Sequence, residues 1–92
     1  MARPITMPAA PDAEERWCED RLRAIVDRPV QVAVDVGCGD GAMTAAMARL
    51  LAPTGTRVVA VDVDTTALAH TEERLHRAGL ANVPVVLLQA DL

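Results

Sequence analysis

Aromatic side chains are nearly missing from this sequence: one Trp, no Phe and no Tyr among 92 residues. Core volume must therefore come from Val, Leu, Ile, Met and Ala, a mix common where parallel strands are buried on both faces. Positive charge is also scarce. The formal net charge is −4, and phosphate backbones are bound by clustered Lys and Arg, so nucleic acid is excluded as a partner through this surface. The arginines are scattered along predicted helices, which reads as a solvated face. The two cysteines, Cys18 and Cys38, have neither CxxC nor metal-ligand spacing, so no metal is expected and reduced thiols of a cytoplasmic protein are. No apolar run approaches the roughly 20 residues of a spanning helix, which excludes a membrane span. The opening MARPITMPAAP lacks the apolar stretch of a signal peptide.

What remains is a globular composition, 51% hydrophobic and 24% charged. One small domain is the most such a length builds, burying roughly two-thirds of its unfolded surface. Residues 1–11, rich in Pro and Ala, are expected to form a flexible N-terminal arm before a domain over residues 12–92. Asp12 followed by Glu15 makes a capping box that opens a helix. Cys18, Leu22, Ile25 and Val26 fall on one stripe of that helix, and Pro29 ends it. Residues 30–36 (VQVAVDV) read as a buried strand. A glycine turn (GCGDG) follows, then a helix over 42–51 stopped by Pro53 and Gly55. Residues 57–62 (RVVAVD) read as a second strand, and Thr65 or Thr66 caps a helix running to Ala78 and closed by Gly79. VVLLQ is the third strand. A helix followed by β-α-β-α-β implies parallel pairing with right-handed crossovers and the first strand at an edge.

In open α/β sheets, ligands sit beyond the carboxyl ends of the strands. Here each strand runs into an acid at that end: Asp35, Asp62 and Asp91. Gly37, Gly39 and Gly41 let the chain turn tightly and let a ligand approach the backbone. The helix start behind them is expected to offer free N–H groups. Gly37-x-Gly39-x-x-Ala42 also satisfies the looser dinucleotide fingerprint, and Asp62 lies where it could hold ribose hydroxyls in either case. Asp35 separates the two ligands. It lies only ~7 Å of strand before the turn, and there would repel a pyrophosphate by roughly 2 kcal/mol per charge pair. The cationic amino group and sulfonium of S-adenosylmethionine would instead be favoured.

VAVDVGCGDG resembles the first motif of class I S-adenosylmethionine-dependent methyltransferases, VVAVDVD the segment that follows it, and QADL the segment meeting adenine. The resemblance covers residues 30–92. It implies a Rossmann-like, three-layer α/β fold with a parallel sheet, truncated relative to the family's seven-stranded domain. It further implies that Gly37, Cys38 and Gly39, with Gly41 closing the turn, line the methionine moiety. Asp35 would engage the amino group, Asp62 both ribose hydroxyls and Val63 the adenine face. Asp91 would take the exocyclic amine, with Leu92 beside it. The implied cofactor is S-adenosyl-L-methionine, the implied activity methyl transfer to an acceptor the sequence does not identify.

Purely structural alternatives stand beside these roles. The glycines could serve a turn alone, Asp62 and Asp91 could be loop acids, and Asp40 and Asp64 are helix-start acids. Cys38 reads as a small turn residue rather than a nucleophile, and His70 and His76 as solvated. Trp17 reads as core, or as leaning over the cofactor. No catalytic constellation is present. A non-catalytic cofactor-binding or regulatory module is the alternative function, and an NAD-binding oxidoreductase fragment is disfavoured by Asp35. The strand over 30–36, bare along one side, predicts self-association or a partner chain that completes the sheet.

Overall fold

In the computed structural model, which describes residues 9–91, the elements follow the predicted order. Helix α1 (Ala13–Ile25) precedes strand β1 (Val32–Val36), helix α2 (Ala42–Leu50), strand β2 (Arg57–Asp62), helix α3 (Thr65–Arg77) and strand β3 (Val85–Gln89). The strands pair in parallel in the order β1-β2-β3, with Val34 opposite Val59 and Val59 opposite Val86. Strand β1 is thus at an edge, as expected.

Local chemistry accounts for each helix. Asp12 accepts the Glu15 N–H at 2.8 Å while Glu15 accepts the Asp12 N–H at 3.1 Å, the reciprocal capping box. Alanines dominate α2 (AMTAAMARL), favouring helix and allowing close approach of neighbours. Helix α3 is capped by Asp64, which accepts the Thr66 N–H at 2.8 Å. The expectation that Thr65 or Thr66 caps it is corrected by one residue, since a carboxylate is the better acceptor for the orphan N–H groups.

Helix α2 is the centre of packing. On one side Cys18 and Leu22 of α1 meet Ala42, Ala46 and Met47 over Val58; on the other, Ala45 and Ala48 meet Leu75, Ala78 and Leu80. All three helices make one layer on one sheet face. Among the described residues the opposite face is bare, with Val32, Val34, Val36, Val86 and Leu88 exposed.

Four expectations change, those for Ile25, Trp17, the arginines and the start of β1. Ile25 is 73% exposed, and the α1 stripe is Cys18, Leu22 and the half-buried Val26. Trp17 is not core: it is 58% exposed, with the Arg21 guanidinium 4.8 Å from its ring centre. Arg49 and Arg74 are not solvated but pair with the buried Glu15 and Glu19 or with the turn. Of the arm over 1–11, residues 1–8 lie outside the described residues, while Ala9 is tied down by its N–H to the Ala78 carbonyl (3.0 Å) and by Arg49. Strand β1 begins two residues late, yet Val30 and Gln31 still accept from Thr56 and Arg57. No helix among the described residues is long and apolar enough to cross a membrane.

Candidate functional site

Beyond the carboxyl ends of the strands lies a crevice of about 180 Å³, lined by Val36, Gly37, Val61, Asp62, Val63, Ala90 and Asp91. It thus brings together four residues singled out from the sequence: Gly37, Asp62, Val63 and Asp91. Leu92 lies outside the described residues.

The crevice is shaped by the chain reversal after β1. Gly37 and Gly39 adopt φ of +72° and +57°, which a side chain would resist. The Gly37 and Cys38 N–H groups both donate to the Val61 carbonyl, at 2.8 and 3.2 Å, folding the turn onto β2. Gly39 donates to Asp62 Oδ2 at 3.2 Å, Gly41 to the Cys38 carbonyl at 2.9 Å, and Ala42 to Asp40 Oδ1 at 3.2 Å. Of the helix-start donors expected to be free, the Ala42 N–H is thus spent within the turn.

Asp62 is the electrostatic centre of the opening. Its Oδ1 accepts the Asp64 N–H at 2.9 Å, and its Oδ2 the Gly39 N–H. The N–H groups of Asp64 and then Gly39 lower its pKa from the ordinary carboxylate value, so it is anionic at neutral pH. A carboxylate has about four lone-pair directions, and two N–H groups leave acceptor capacity facing the crevice. Gln89 Nε2 donates to the Val63 carbonyl at 3.2 Å and steadies the loop after β2.

Asp35, Cys38 and Gly41 take places off the crevice. Asp35, half-buried on the helix-covered face, accepts the Thr44 hydroxyl at 2.7 Å. The Cys38 side chain turns inward, its sulfur 3.3 Å from the Thr71 hydroxyl, and burial pushes its thiol pKa up, which suits a packing residue. Gly41 abuts α3: a Cβ there would lie 2.7 Å from Thr71 Cα. His70 and His76 are exposed, as read from the sequence. The sequence reading missed Thr44, Thr71 and Arg74. The two α3 residues stand one helical turn apart, a spacing that places them on one face, but nothing local says that a glycine turn lies opposite.

A family model described as "Methyltransferase domain" matches residues 33–92. Uncharacterized methyltransferases of Mycobacterium tuberculosis and Mycobacterium bovis are each 38% identical to the chain over 71 residues, which is 77% of this chain and 32% of theirs. The chain therefore spans about a third of the length of these curated relatives. Among solved structures, coclaurine N-methyltransferase bound to N-methylheliamine and SAH superimposes with a TM-score of 0.67 at 26% identity, covering 97% of this chain and 25% of that one. A methyltransferase from Geobacter sulfurreducens gives a TM-score of 0.61 at 26% identity, covering 89% and 40%.

Proposed function

The chain belongs to the methyltransferase-domain family, and on that premise we propose that it is the S-adenosylmethionine-binding part of an enzyme that methylates an acceptor. The observation that carries the proposal is the anionic Asp62, held at the mouth of the crevice by the Gly39 and Asp64 N–H groups. Its remaining lone pairs suit two vicinal hydroxyls of a ribose. Above Gly37 a Cβ would meet nothing within 4 Å, leaving room for a ligand against the main chain. Val36, Val61 and the exposed Val63 give the crevice apolar walls for a base, and Asp91 an acceptor for an amine.

The same geometry speaks against a dinucleotide. A pyrophosphate needs open N–H donors, whereas those of Gly37, Cys38, Gly39, Gly41 and Ala42 are committed, two of them to carboxylates. In this proposal Gly37, Gly39 and the Cys38 main chain receive the methionine end. Asp35 engages the amino group through the oxygen that Thr44 leaves open or through water, and Leu92 flanks the adenine. Gly41 serves by letting α3 close on the turn. Bound S-adenosylmethionine supplies an activated methyl on sulfonium, so the protein's task is chiefly alignment with the acceptor.

The bare face extends the proposal to partners. Five exposed apolar side chains and the open edge of β1 call for further strands and helices, from a longer polypeptide, a partner chain or a second copy. A cytoplasmic location accords with the two free, buried cysteines.

Calorimetry tests the cofactor. S-adenosylmethionine and S-adenosylhomocysteine should both bind and NAD should not, and Asp62→Ala should weaken the first two by roughly thirtyfold, the loss of one charge-assisted site. NAD binding more tightly than either, or an indifferent Asp62→Ala, overturns the assignment.

A further inference from the structure

Helix α3 grips the glycine turn through two residues on one of its faces, and neither lines the crevice. The wholly buried Thr71 places its hydroxyl 3.3 Å from both Cys38 Sγ and the Gly39 carbonyl, so its one proton serves either acceptor in turn. Arg74, 9% exposed, donates from Nε to the Asp40 carbonyl at 3.0 Å and from Nη2 to Asp40 Oδ2 at 3.2 Å. Its Nη1 reaches Asp12 Oδ2, the cap of α1, at 2.8 Å, with Glu15 at 3.5 Å. Three successive turn residues are thus held from one helix, and the holding arginine is itself anchored to a second.

We propose that Thr71 and Arg74 are positioning residues that set the glycine turn, and through it Asp62, for the cofactor; this rests on the function proposed above. The chain of contacts is short. Fixing the Gly39 and Asp40 carbonyls from below fixes the two peptide planes that follow Gly39, one Cα away from the N–H that holds Asp62 Oδ2. The choice of side chain points the same way. Cohesion alone would be served as well by an apolar residue, since desolvating a guanidinium offsets much of what its ion pairs return. A planar fork adds direction: Arg meets both acceptors of Asp40 in one orientation, which a point charge would not.

The test reads the turn directly and the ligand separately. Amide hydrogen exchange at Gly39 and Gly41 is measured in the unliganded chain, and affinity by calorimetry with S-adenosylhomocysteine. Arg74→Gln and Thr71→Val should each speed exchange at those two amides, and weaken binding, by about tenfold. Arg49→Gln, which breaks the neighbouring Glu15 and Glu19 pairs but touches no turn residue, should lower Tm and leave both readouts in place. Arg74→Gln combined with Asp40→Asn should weaken binding no further than the worse single change. Should Arg74→Gln not fold, Arg74→Lys keeps the charge without the fork and should still loosen the turn. Exchange at Gly39 and Gly41 that stays as in the wild type, or rises only in step with every other amide, overturns the proposal. A wild-type chain that fails to bind S-adenosylhomocysteine overturns the cofactor assignment instead, while the exchange data still decide the role of Thr71 and Arg74.

Discussion

The two faces of the sheet are made from alternate residues of the same strands, and they live in different solvents. Toward the helices stand Ala33, Asp35, Val58 and Ala60, where Val58 and Ala60 are sealed from water. Away from them stand Val32, Val34, Val36, Val86 and Leu88, all about half exposed or more. Apolar character does not distinguish the faces, since both are largely apolar, though the helix side carries the smaller Ala33 and Ala60 and the open side mainly valine. What distinguishes them is the helix layer, whose alanines at α2 let it come close. An apolar residue in a parallel strand therefore records the surroundings for which the strand is built, and here only half of those surroundings lie within the described residues. The contrast continues into the turn, which has a side gripped by α3 and a side open to the crevice.

Putting the same charge on each face sharpens this contrast most. Val58→Asp would bury a carboxylate with no partner and should cost about 3–5 kcal/mol, enough to unfold a chain this small. Val34→Asp, one strand over on the bare face, should change stability by no more than about 0.5 kcal/mol. It should also reduce self-association read by light scattering, because the charge interrupts an exposed apolar surface. Urea unfolding gives the first comparison. Similar losses in the two variants would mean that the bare face is covered in the isolated chain.

The turn offers a smaller version of the same comparison. Gly41→Ala sets a methyl 2.7 Å from the Thr71 backbone at a φ of +89°, so strain and overpacking add to roughly 3 kcal/mol. Gly37→Ala at φ +72° meets nothing within 4 Å and should cost only the conformational part, about 1–2 kcal/mol. Its methyl would nevertheless stand where the cofactor is proposed to pass, so affinity for S-adenosylhomocysteine should fall further in Gly37→Ala than in Gly41→Ala. Equal stability losses would show that α3 yields to a methyl at Gly41 and does not grip the turn rigidly.

Element order, parallel pairing and the position of β1 at an edge were legible because hydrophobic runs, caps and glycines are local signals. The residues gathered at the crevice were legible because strand ends and the turn between them are close in sequence and in space. What was not legible depends on partners far along the chain. Nothing near Arg74 in HTEERLHR says that Asp40 and Asp12 wait on the other side. Nor does the α1 stripe say that Ile25 falls beyond the reach of α2, or that Trp17 faces water. The inward turn of Cys38 and the spent N–H groups follow from positive φ at Gly37 and Gly39, values that composition permits but does not specify.

Acid sets the two sides of the turn against each other by the smallest margin. On the helix side, Asp12 has its pKa lowered by the Glu15 N–H, against burial, and further by Arg74; Asp40 is raised by burial but lowered more by the Ala42 N–H and the Arg74 charge. On the open side, Asp62 is lowered by backbone N–H groups only, those of Asp64, Gly39 and Val63, against a little burial. A carboxyl whose folded pKa is depressed stabilises the fold above its unfolded value, near 3.8 for these groups, and loses that contribution as pH falls through the lower folded value. Arg74→Gln removes a shared cause from Asp12 and Asp40 together, with Glu14 and Glu15 also facing the site. The stability difference between neutral pH and about pH 2 should therefore shrink in that variant, the loss falling at neutral pH, where both carboxylates are charged. Asp62→Asn should shrink it less, because its single carboxylate is solvated and screened. Urea midpoints across that pH range measure both. A larger effect from Asp62→Asn would place the electrostatic weight of the turn on its open side rather than under α3.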